Sequence, residues 1–209
     1  MTIAPGSMSV GQGLETSFPD IVAGALNIGA DRIKYIQGDT DYLPSGRGSG
    51  GSAATITGGS AVINAAEILI QTGNQIAADV LKCDISDIQD NNGNFYQKND
   101  PDTRLDWSEI AQYSNQPDGL DIMGEFTPSA PTYPNGCHIC EVEIDTSTGK
   151  CYVQDYVAVE DVGTALYPVL IEGQILGGIV QGISQALGES LVYDETGQLS
   201  TGSFMDYQM

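Results

Sequence analysis

The sequence predicts an α+β protein, because its helical segments alternate with hairpins and not with the strand–helix–strand units of a parallel sheet. Residues 60–81 and 168–191 carry apolar side chains at helical spacing. The stretches "CHICEVEID" and "KCYVQDYVAVED" are rich in β-branched residues and flank "TSTG", which is the pattern of a β-hairpin. These observations decide the predicted fold class, and the remaining elements are consistent with it.

The first helix is predicted to follow the "GQG" segment, from apolar residues at i, i+3, i+4, i+7 and i+8. These residues are Phe18, Ile21, Val22, Ala25 and Leu26. Proline is tolerated in the first turn of a helix, so Pro19 predicts a regular helix that begins near Ser17. A short strand in "DRIKYIQGD" and the glycine-rich loop "GRGSGGSAAT" then lead to the long helix at 60–81.

Smaller elements are predicted on either side of the hairpin. Asn92-Gly93 predicts a turn between two extended pieces, and Asp106 is the predicted N-cap of a short helix in "LDWSEIAQYS". Residues 114–136 contain four prolines and are expected to be irregular. Pro168 is expected to open the helix at 168–191, and "YDETGQL" to form a turn. No linker is evident, so we expect one domain over residues 1–209, with a division into two lobes as the alternative.

The chain is strongly acidic, with 28 Asp and Glu against 7 Lys and Arg and a formal net charge of −21. Binding to nucleic acid needs Lys and Arg at the phosphates, so no nucleic-acid partner is expected. Adsorption to an anionic membrane is excluded for the same reason. No apolar run is long enough to span a bilayer, and the first residues lack the basic and apolar regions of a signal peptide.

The "CHIC" stretch has the spacing of a redox or metal motif, with His138 between Cys137 and Cys140. Its flanks predict a strand, on which Cys137 points away from both His138 and Cys140. No second CxxC follows that could complete four ligands. We therefore expect buried structural thiols and a structural histidine rather than a metal site.

Glycine and glutamine recur at the boundaries of the predicted elements. They occur in "GQG" before a helix, "GSGGS" before the next helix, "EDVG" at a strand end and "GGIVQGISQ" within the last helix. Bare backbone lets a ligand approach N–H groups, and helix starts favour anions. "GRGSGG" does not match the P-loop or the dinucleotide fingerprint. The residues alone therefore indicate a large, polar, phosphorylated cofactor and no further identity.

Five blocks stand in an order that is characteristic of one family. They are "GQGLETSFPDIVAGALNI", "IQGDTDYLPSGRGSGGSAAT", "PNGCHICEVEIDTSTGK", "VAVEDVGTALYPVLIEGQILGGIVQGISQALGESLVYD" and "GSFMDYQM". The chain resembles the large, molybdenum-binding subunit of the xanthine dehydrogenase, aldehyde oxidase and aerobic carbon monoxide dehydrogenase family. The resemblance implies its C-terminal molybdenum-cofactor-binding domain over residues 1–209, and we expect this domain to be incomplete at both ends.

The resemblance implies which residues bind the molybdopterin cofactor. In this family the GQG segment binds the cofactor, and its Gln, here Gln12 between Gly11 and Gly13, approaches an oxo group on the molybdenum; no direct metal ligand is implied. The Gly/Ser loop holds the pterin and phosphate part, and here comprises Gly48, Ser49, Gly50, Gly51, Ser52, Ala53, Ala54 and Thr55. The turn after a strand falls on Asp161, Val162 and Gly163, and the last contacts fall on Gln181 and Gly182.

The chain departs from the family pattern in two places. The family loop reads G-S-R-S-T, but here Ala53 replaces the Arg and Ala54 replaces the second Ser, which removes a charge and a hydroxyl. The family's catalytic Glu follows the "FMDY" block, beyond Met209. Glu189 lies in the predicted helix and is expected to be a surface residue, so no catalytic residue is assigned within the chain and we expect it to be inactive alone.

By resemblance, the parent protein would hydroxylate an aldehyde, an N-heterocycle or a related substrate with oxygen from water. The expected cofactor is molybdopterin in its cytosine dinucleotide form, with iron–sulfur clusters and FAD in partner subunits. The expected partners are the rest of the large subunit and those two subunits, in a homodimer of heteromers without membrane insertion. The expected compartment is the cytoplasm, with the periplasm as the alternative. The alternative function is a non-catalytic molybdopterin carrier or assembly module.

Overall fold

The computed structural model describes residues 1–43, 45–114 and 120–208, and the chain divides into two compact units, residues 1–133 and 134–209. Within the described ranges the helices are α1 (Leu14–Leu26), α2 (Ser60–Leu81), α3 (Trp107–Tyr113) and α4 (Pro168–Leu187). The strands are β1 (Thr2–Ile3), β2 (Lys34–Tyr35), β3 (Ile88–Asn91), β4 (Asn94–Gln97), β5 (Asp100–Asp106), β6 (Asn135–Ile144) and β7 (Cys151–Asp161). This mixture of helices and small sheets confirms the α+β class.

Helix α1 begins earlier than its proline predicts. It starts at Leu14, so Pro19 lies at the sixth helical position, and the prediction of a start near Ser17 is wrong. Proline there removes the N–H that would bond to the Glu15 carbonyl, at a cost of about 3 kcal/mol. Leu14 and Phe18 are 2% and 0% exposed. Burying two such side chains contributes roughly 1.5–3 kcal/mol each, which is enough to hold the first turn in place.

Helix α2 has the predicted bounds, Ser60–Leu81, and is preceded by a π-helical turn at Thr55–Gly59. Gly58 in that turn is buried, and a Cβ atom there would lie 2.6 Å from the Ser7 hydroxyl oxygen and 2.9 Å from the Phe18 ring. The absence of a side chain at Gly58 therefore lets the start of α2 pack closely on α1. The buried residues of α2 are Val62, Ala66, Leu69, Gly73, Ala77 and Ala78.

The first unit also contains a three-stranded antiparallel sheet in the order β3-β4-β5. Asn92 and Gly93 join β3 to β4 with φ angles of 50° and 71°, which confirms the predicted turn. Phe95 of β4 is fully buried, and its ring meets that of Trp107 edge-on at a centroid distance of 4.7 Å. Asp106 caps α3 through a reciprocal capping box with Glu109, as its position in the sequence predicts.

The second unit consists of the antiparallel pair β6–β7, helix α4 and the chain that follows it. Helix α4 ends at Leu187, so the predicted extension to residue 191 is wrong. Its last turn closes with the Gly188 N–H on the Ser184 carbonyl at 2.8 Å, and Glu189 adopts a positive φ of 50°. The Glu189 N–H then bonds to the Gln208 carbonyl at 2.7 Å, which replaces the next helical bond.

The part of the chain predicted to be irregular carries no helix or strand over residues 120–134, whereas residues 115–119 lie outside the described residues and β6 already begins at Asn135. The predicted turn in "YDETGQL" is confirmed, because the Gly197 N–H bonds to the Asp194 carbonyl at 3.0 Å. None of the helices within the described ranges is both long enough and apolar enough to cross a membrane.

Replacing Gly73 with alanine tests the packing of α2 on the sheet. The new Cβ would lie 2.7 Å from the tip of the buried Phe95 ring and 3.1 Å from Trp107. Overpacking costs about 1–3 kcal/mol, which exceeds the roughly 1 kcal/mol that alanine contributes to a helix. We expect Gly73→Ala to lower the free energy of unfolding, measured by chemical denaturation. The matched variant Gly24→Ala, with no atom within 4 Å of its Cβ, should raise it; the same sign in both would contradict this packing.

The turn between β6 and β7 predicts a specific pH dependence. The hydroxyl and N–H of Ser147 and the hydroxyl of Thr148 donate to the Asp145 carboxylate, which lowers the pKa of Asp145 to about 2. A lowered pKa means that the ionised carboxylate supports the turn above the ordinary value near 3.8 and that this support is lost as the pH falls through about 2.

We expect the Asp145 carboxyl carbon to titrate near pH 2 in an NMR experiment. Asp145→Asn should remove the acid-sensitive part of the hairpin's hydrogen-exchange protection. The control Asp102→Asn changes the net charge equally, at a carboxylate with no hydrogen-bond partner among the described residues. A titration midpoint of Asp145 at the ordinary aspartate value would contradict the hydrogen-bonded turn.

Candidate functional site

The side chain of Gln12 connects two of the segments that the sequence predicts to bind a cofactor. Its Nε2 donates to the Ser49 hydroxyl oxygen at 2.8 Å and to the Met8 carbonyl at 3.1 Å. Its Oε1 accepts the Val10 N–H at 2.5 Å, and the Ser49 hydroxyl also donates to the Met8 carbonyl. The GQG segment and the glycine-rich loop, 37 residues apart in sequence, are therefore adjacent in the first unit.

The backbone of the glycine-rich loop is fixed against Gly6. The Gly6 carbonyl accepts the N–H groups of both Arg47 and Gly48, at 3.0 and 3.2 Å. A Cβ atom at Gly46 would lie only 2.8 Å from the same carbonyl oxygen. Glycine at this position is thus required for the approach, which the sequence does not reveal because the two residues are far apart along the chain.

Gln37 provides a second anchor for the segment before α1, and sequence reasoning missed it. Its Nε2 donates to the Ser9 carbonyl at 3.1 Å, and its Oε1 accepts the Ser9 N–H at 2.6 Å. The Tyr35 hydroxyl donates to the same Oε1 at 3.1 Å, and burial raises the pKa of Tyr35. The Ser9 hydroxyl donates to Glu15, which lowers the pKa of that carboxyl. Ser9 is therefore held through both its backbone and its side chain.

The glycine-rich loop itself presents exposed backbone beside open space. Gly50 and Gly51 are exposed, and Cβ atoms placed on Gly48, Gly50 or Gly51 would meet no atom within 4 Å. Ser52 is exposed with a φ of 53°, and Ala53 and Ala54 lead into the π-helical turn before α2, which begins at Thr55. A cavity of about 390 Å³ opens beside the loop, lined by Arg47, Gly51, Ala53, Thr57 and residues 128–132. The bare loop thus has room beside it for a ligand.

Two predicted contact groups belong to the second unit. Asp161, Val162 and Gly163 are exposed at and beyond the end of β7, and the Asp161 carboxylate accepts the Gly163 N–H at 3.0 Å. Gln181 and Gly182 are exposed on α4. The turn geometry is therefore defined locally by Asp161.

His138 is held by hydrogen bonds across the β6–β7 ribbon. Its Nδ1 lies 2.9 Å from the Tyr156 hydroxyl and its Nε2 lies 2.5 Å from a Glu160 carboxylate oxygen. Its direct partner on β7 is Ala158. The small side chain of Ala158 leaves room for the imidazole ring between Tyr156 and Glu160. This arrangement fits a structural histidine. Among the described residues no group of three or more His, Cys, Asp or Glu could hold a metal ion.

The cysteines of the "CHIC" stretch are not buried, and that prediction is wrong. Cys137 and Cys140 are exposed, because both faces of β6 are open to solvent in the second unit. They pair with Val159 and Tyr156 on β7, so they do lie on opposite faces of the ribbon. Strand alternation predicts the faces, but it carries no information about what covers them.

The chain as a whole is similar to known proteins. The family model of the molybdopterin cofactor-binding domain matches residues 1–209. The chain belongs to this family. The match confirms the resemblance that the five sequence blocks indicate, and it covers both compact units.

Two relatives of this molybdopterin cofactor-binding domain are named as the large chain or large subunit of an enzyme. The chain is 35% identical to the carbon monoxide dehydrogenase large chain of Afipia carboxidovorans, over 97% of this chain and 26% of that one. It is 36% identical to the nicotine 6-hydroxylase large subunit of Paenarthrobacter nicotinovorans, over 100% of this chain and 27% of the relative. The chain therefore spans about a quarter of the length of these relatives.

A solved structure has the same fold as this chain and confirms the predicted fold class. The crystal structure of the Cu,Mo-CO dehydrogenase in its carbon monoxide reduced state matches with a TM-score of 0.83 and 34% identity. The match covers 99% of this chain and 27% of that one. The fold is thus shared with about a quarter of that carbon monoxide dehydrogenase chain.

Removing the hydrogen bonds of Gln12 should loosen the glycine-rich loop. Gln12→Met keeps the side-chain length but removes the donor to Ser49 and Met8. A net hydrogen bond contributes about 0.5–1.5 kcal/mol, so we expect trypsin to cleave after the exposed Arg47 about two- to tenfold faster. The control Gln71→Met lies on the exposed face of α2. Equal cleavage rates in both variants and the original chain would contradict the bridging role of Gln12.

Proposed function

We propose that this chain binds a molybdopterin cofactor as part of the large subunit of a molybdenum hydroxylase. The observation that carries the proposal is the hydrogen bond from Gln12 to Ser49, which joins the two segments of the first unit that resemble the family's cofactor contacts. Bridged in this way, the GQG segment and the glycine-rich loop form one surface. The family match over the whole chain supports the same function.

The residues of the glycine-rich loop fit a phosphorylated cofactor. Exposed glycines lie beside open space, so a ligand can approach the N–H groups without meeting side chains. The contacts that we assign are Gly11, Gln12, Gly13, Gly48, Ser49, Gly50, Gly51, Ser52, Ala53, Ala54 and Thr55 in the first unit, with Asp161, Val162, Gly163, Gln181 and Gly182 in the second. We propose that the cofactor is the cytosine dinucleotide form of molybdopterin.

The bound cofactor would supply the two-electron chemistry that places an oxygen from water on an aldehyde, an N-heterocycle or a related substrate. The residues of this chain would bind and orient it. Gln12 has its amide group already held by Met8, Val10 and Ser49, so its position is defined before a ligand binds. We assign no catalytic residue within the chain, and we propose that the general base is supplied by another part of the large subunit, so that this chain is inactive alone.

Exposed apolar side chains in the second unit support a partner that covers them. Helix α4 has no buried residue, and Val169, Val180, Phe204 and Met205 are 76%, 61%, 93% and 91% exposed. Large apolar side chains exposed to this extent are typical of surfaces that another part of a protein covers. We propose that the rest of the large subunit covers these side chains, and that iron–sulfur and FAD subunits complete a homodimer of heteromers.

The cysteines favour the cytoplasm over the periplasm as the compartment. Cys83, Cys137, Cys140 and Cys151 are all free thiols. Free thiols, two of them exposed, are typical of a reducing compartment.

The alternative function, a carrier or assembly module that holds the cofactor without catalysis, would leave the apolar side chains of α4 in water.

The proposed function is tested by the cofactor content of the purified chain from a host that synthesises molybdopterin. We expect molybdenum by plasma spectrometry, pterin by fluorescence after oxidation, and CMP on acid hydrolysis when the chain is co-expressed with the rest of the large subunit. If the chain expressed without the rest of the large subunit contained one molybdenum and one CMP per chain, the alternative function as a cofactor carrier would be favoured. Absence of pterin from both preparations would overturn the proposal.

A charge at Gln12 should reduce this cofactor content. Gln12→Glu places a carboxylate where we propose that the anionic cofactor binds, and like charges repel strongly where water is excluded. We expect the pterin and molybdenum content to fall severalfold, measured on the same co-expressed preparation. Gln71→Glu adds the same charge on the exposed face of α2 and should leave the content unchanged. An equal loss in both variants would show that net charge and not position is responsible.

A further inference from the structure

The cavity beside the glycine-rich loop is lined by two stretches of the first unit. One side consists of Arg47, Gly51, Ala53 and Thr57, and the other of the consecutive residues 128–132, "PSAPT". Its volume of about 390 Å³ lies within the range of small-molecule sites, about 300–1,000 Å³. We refer to it below as the Arg47 cavity.

The charge of the Arg47 cavity is opposite to that of the chain. The chain has 28 acidic and 7 basic residues, but the cavity lining contains one arginine and no acidic residue. Within residues 1–43, 45–114 and 120–208 the Arg47 guanidinium has no hydrogen-bond or ion-pair partner. Its backbone N–H is bonded to the Gly6 carbonyl, so the base of the side chain is fixed. An unpaired guanidinium in a concave site favours a phosphate ligand.

The other polar groups of the Arg47 cavity suit phosphate oxygens. The Thr57 hydroxyl donates to the Ala53 carbonyl at 2.8 Å, so its proton is already used. Ser129 and Thr132 each carry a hydroxyl that can donate to a ligand oxygen. Pro128 and Pro131 have no N–H and form apolar walls. The lining therefore combines one cation and two hydroxyl donors with an apolar surface.

We propose that the Arg47 cavity binds a phosphate or diphosphate group of the cofactor, with Arg47 as its cation. This inference rests on the proposed function. Ala53, where the family loop carries arginine, lines the same cavity, so side chains at positions 47 and 53 reach one ligand site. Arg47 then supplies from the first half of the loop the charge that Ala53 lacks, and Ser129 and Thr132 donate from the opposite wall.

The binding experiment uses the cofactor-free chain of 209 residues, titrated calorimetrically with inorganic pyrophosphate, inorganic phosphate and CMP. Hydrogen bonds to charged groups contribute about 1.5–3 kcal/mol, so Arg47→Ala should weaken pyrophosphate binding about ten- to a hundredfold. The double variant Arg47→Ala/Ala53→Arg should recover most of the affinity. Arg32→Ala removes an exposed arginine outside the cavity and should have no effect.

The outcomes of the titrations are distinct. Loss of pyrophosphate and CMP binding in Arg47→Ala, with recovery in the double variant, supports the proposal for a cofactor phosphate. Binding of inorganic phosphate alone, or equal weakening by Arg32→Ala, overturns it. No pyrophosphate binding by the original chain overturns it as well. Far-UV circular dichroism of each variant shows that the fold is intact.

A second arm separates this inference from the proposed function. Pterin and CMP are measured in Arg47→Ala and in the original protein, each co-expressed with the rest of the large subunit. Reduced content in Arg47→Ala, restored by Ala53→Arg, supports the role of Arg47. Equal content in both overturns the inference and leaves the proposed function intact. Absence of pterin from the original protein would instead count against the proposed function.

Discussion

The carbonyl of Gly6 is the group on which the geometry of the candidate site depends. It accepts two successive N–H groups of the glycine-rich loop, those of Arg47 and Gly48. A loop with so few side chains cannot be fixed by packing, and its backbone entropy opposes any single conformation. Backbone hydrogen bonds to a neighbouring segment provide the fixed point instead. The approach requires that Gly46 carries no side chain, since a Cβ there would lie 2.8 Å from the Gly6 carbonyl oxygen. A Cβ at Gly6 would make tight contacts of 3.3 Å with the backbone of Ser45 and Gly46.

The segment that bears Gly6 is itself held by the core of the first unit. It leads into α1, where Leu14 and Phe18 are buried, and Phe18 lies against Gly58 at the start of α2. The glycine-rich loop therefore lies between a segment that leads into α1 and the start of α2, and these two helices pack on each other. Gln12 and Gln37 add side-chain bonds to Met8 and Ser9. The position of the exposed glycine-rich loop is thus a consequence of burial a few residues away.

Features decided by short-range chemistry could be predicted from the sequence, and those decided by distant contacts could not. The Asp106 cap, the Asn92-Gly93 turn and the bounds of α2 depend on neighbours within a few residues. The start of α1 depends on the burial of Leu14 and Phe18, which outweighs the local effect of Pro19. The candidate site likewise depends on contacts between residues that are distant in the sequence, which the sequence alone does not reveal.

The sequence predicts that the glycine-rich loop and the GQG segment bind a cofactor, and this role stays a prediction. Their hydrogen bond through Gln12 and Ser49, and the anchoring by Gln37, required the tertiary structure. An acidic chain that binds an anion also needs a local cation, because surface charges beyond about 10 Å are screened while a charge in contact with the ligand is not. Arg47 alone of the residues lining the cavity meets that need. Arg47 is anchored through its backbone N–H to the Gly6 carbonyl, and its guanidinium has no partner among the described residues. The charge can therefore turn toward a bound anion without disturbing the helix that follows.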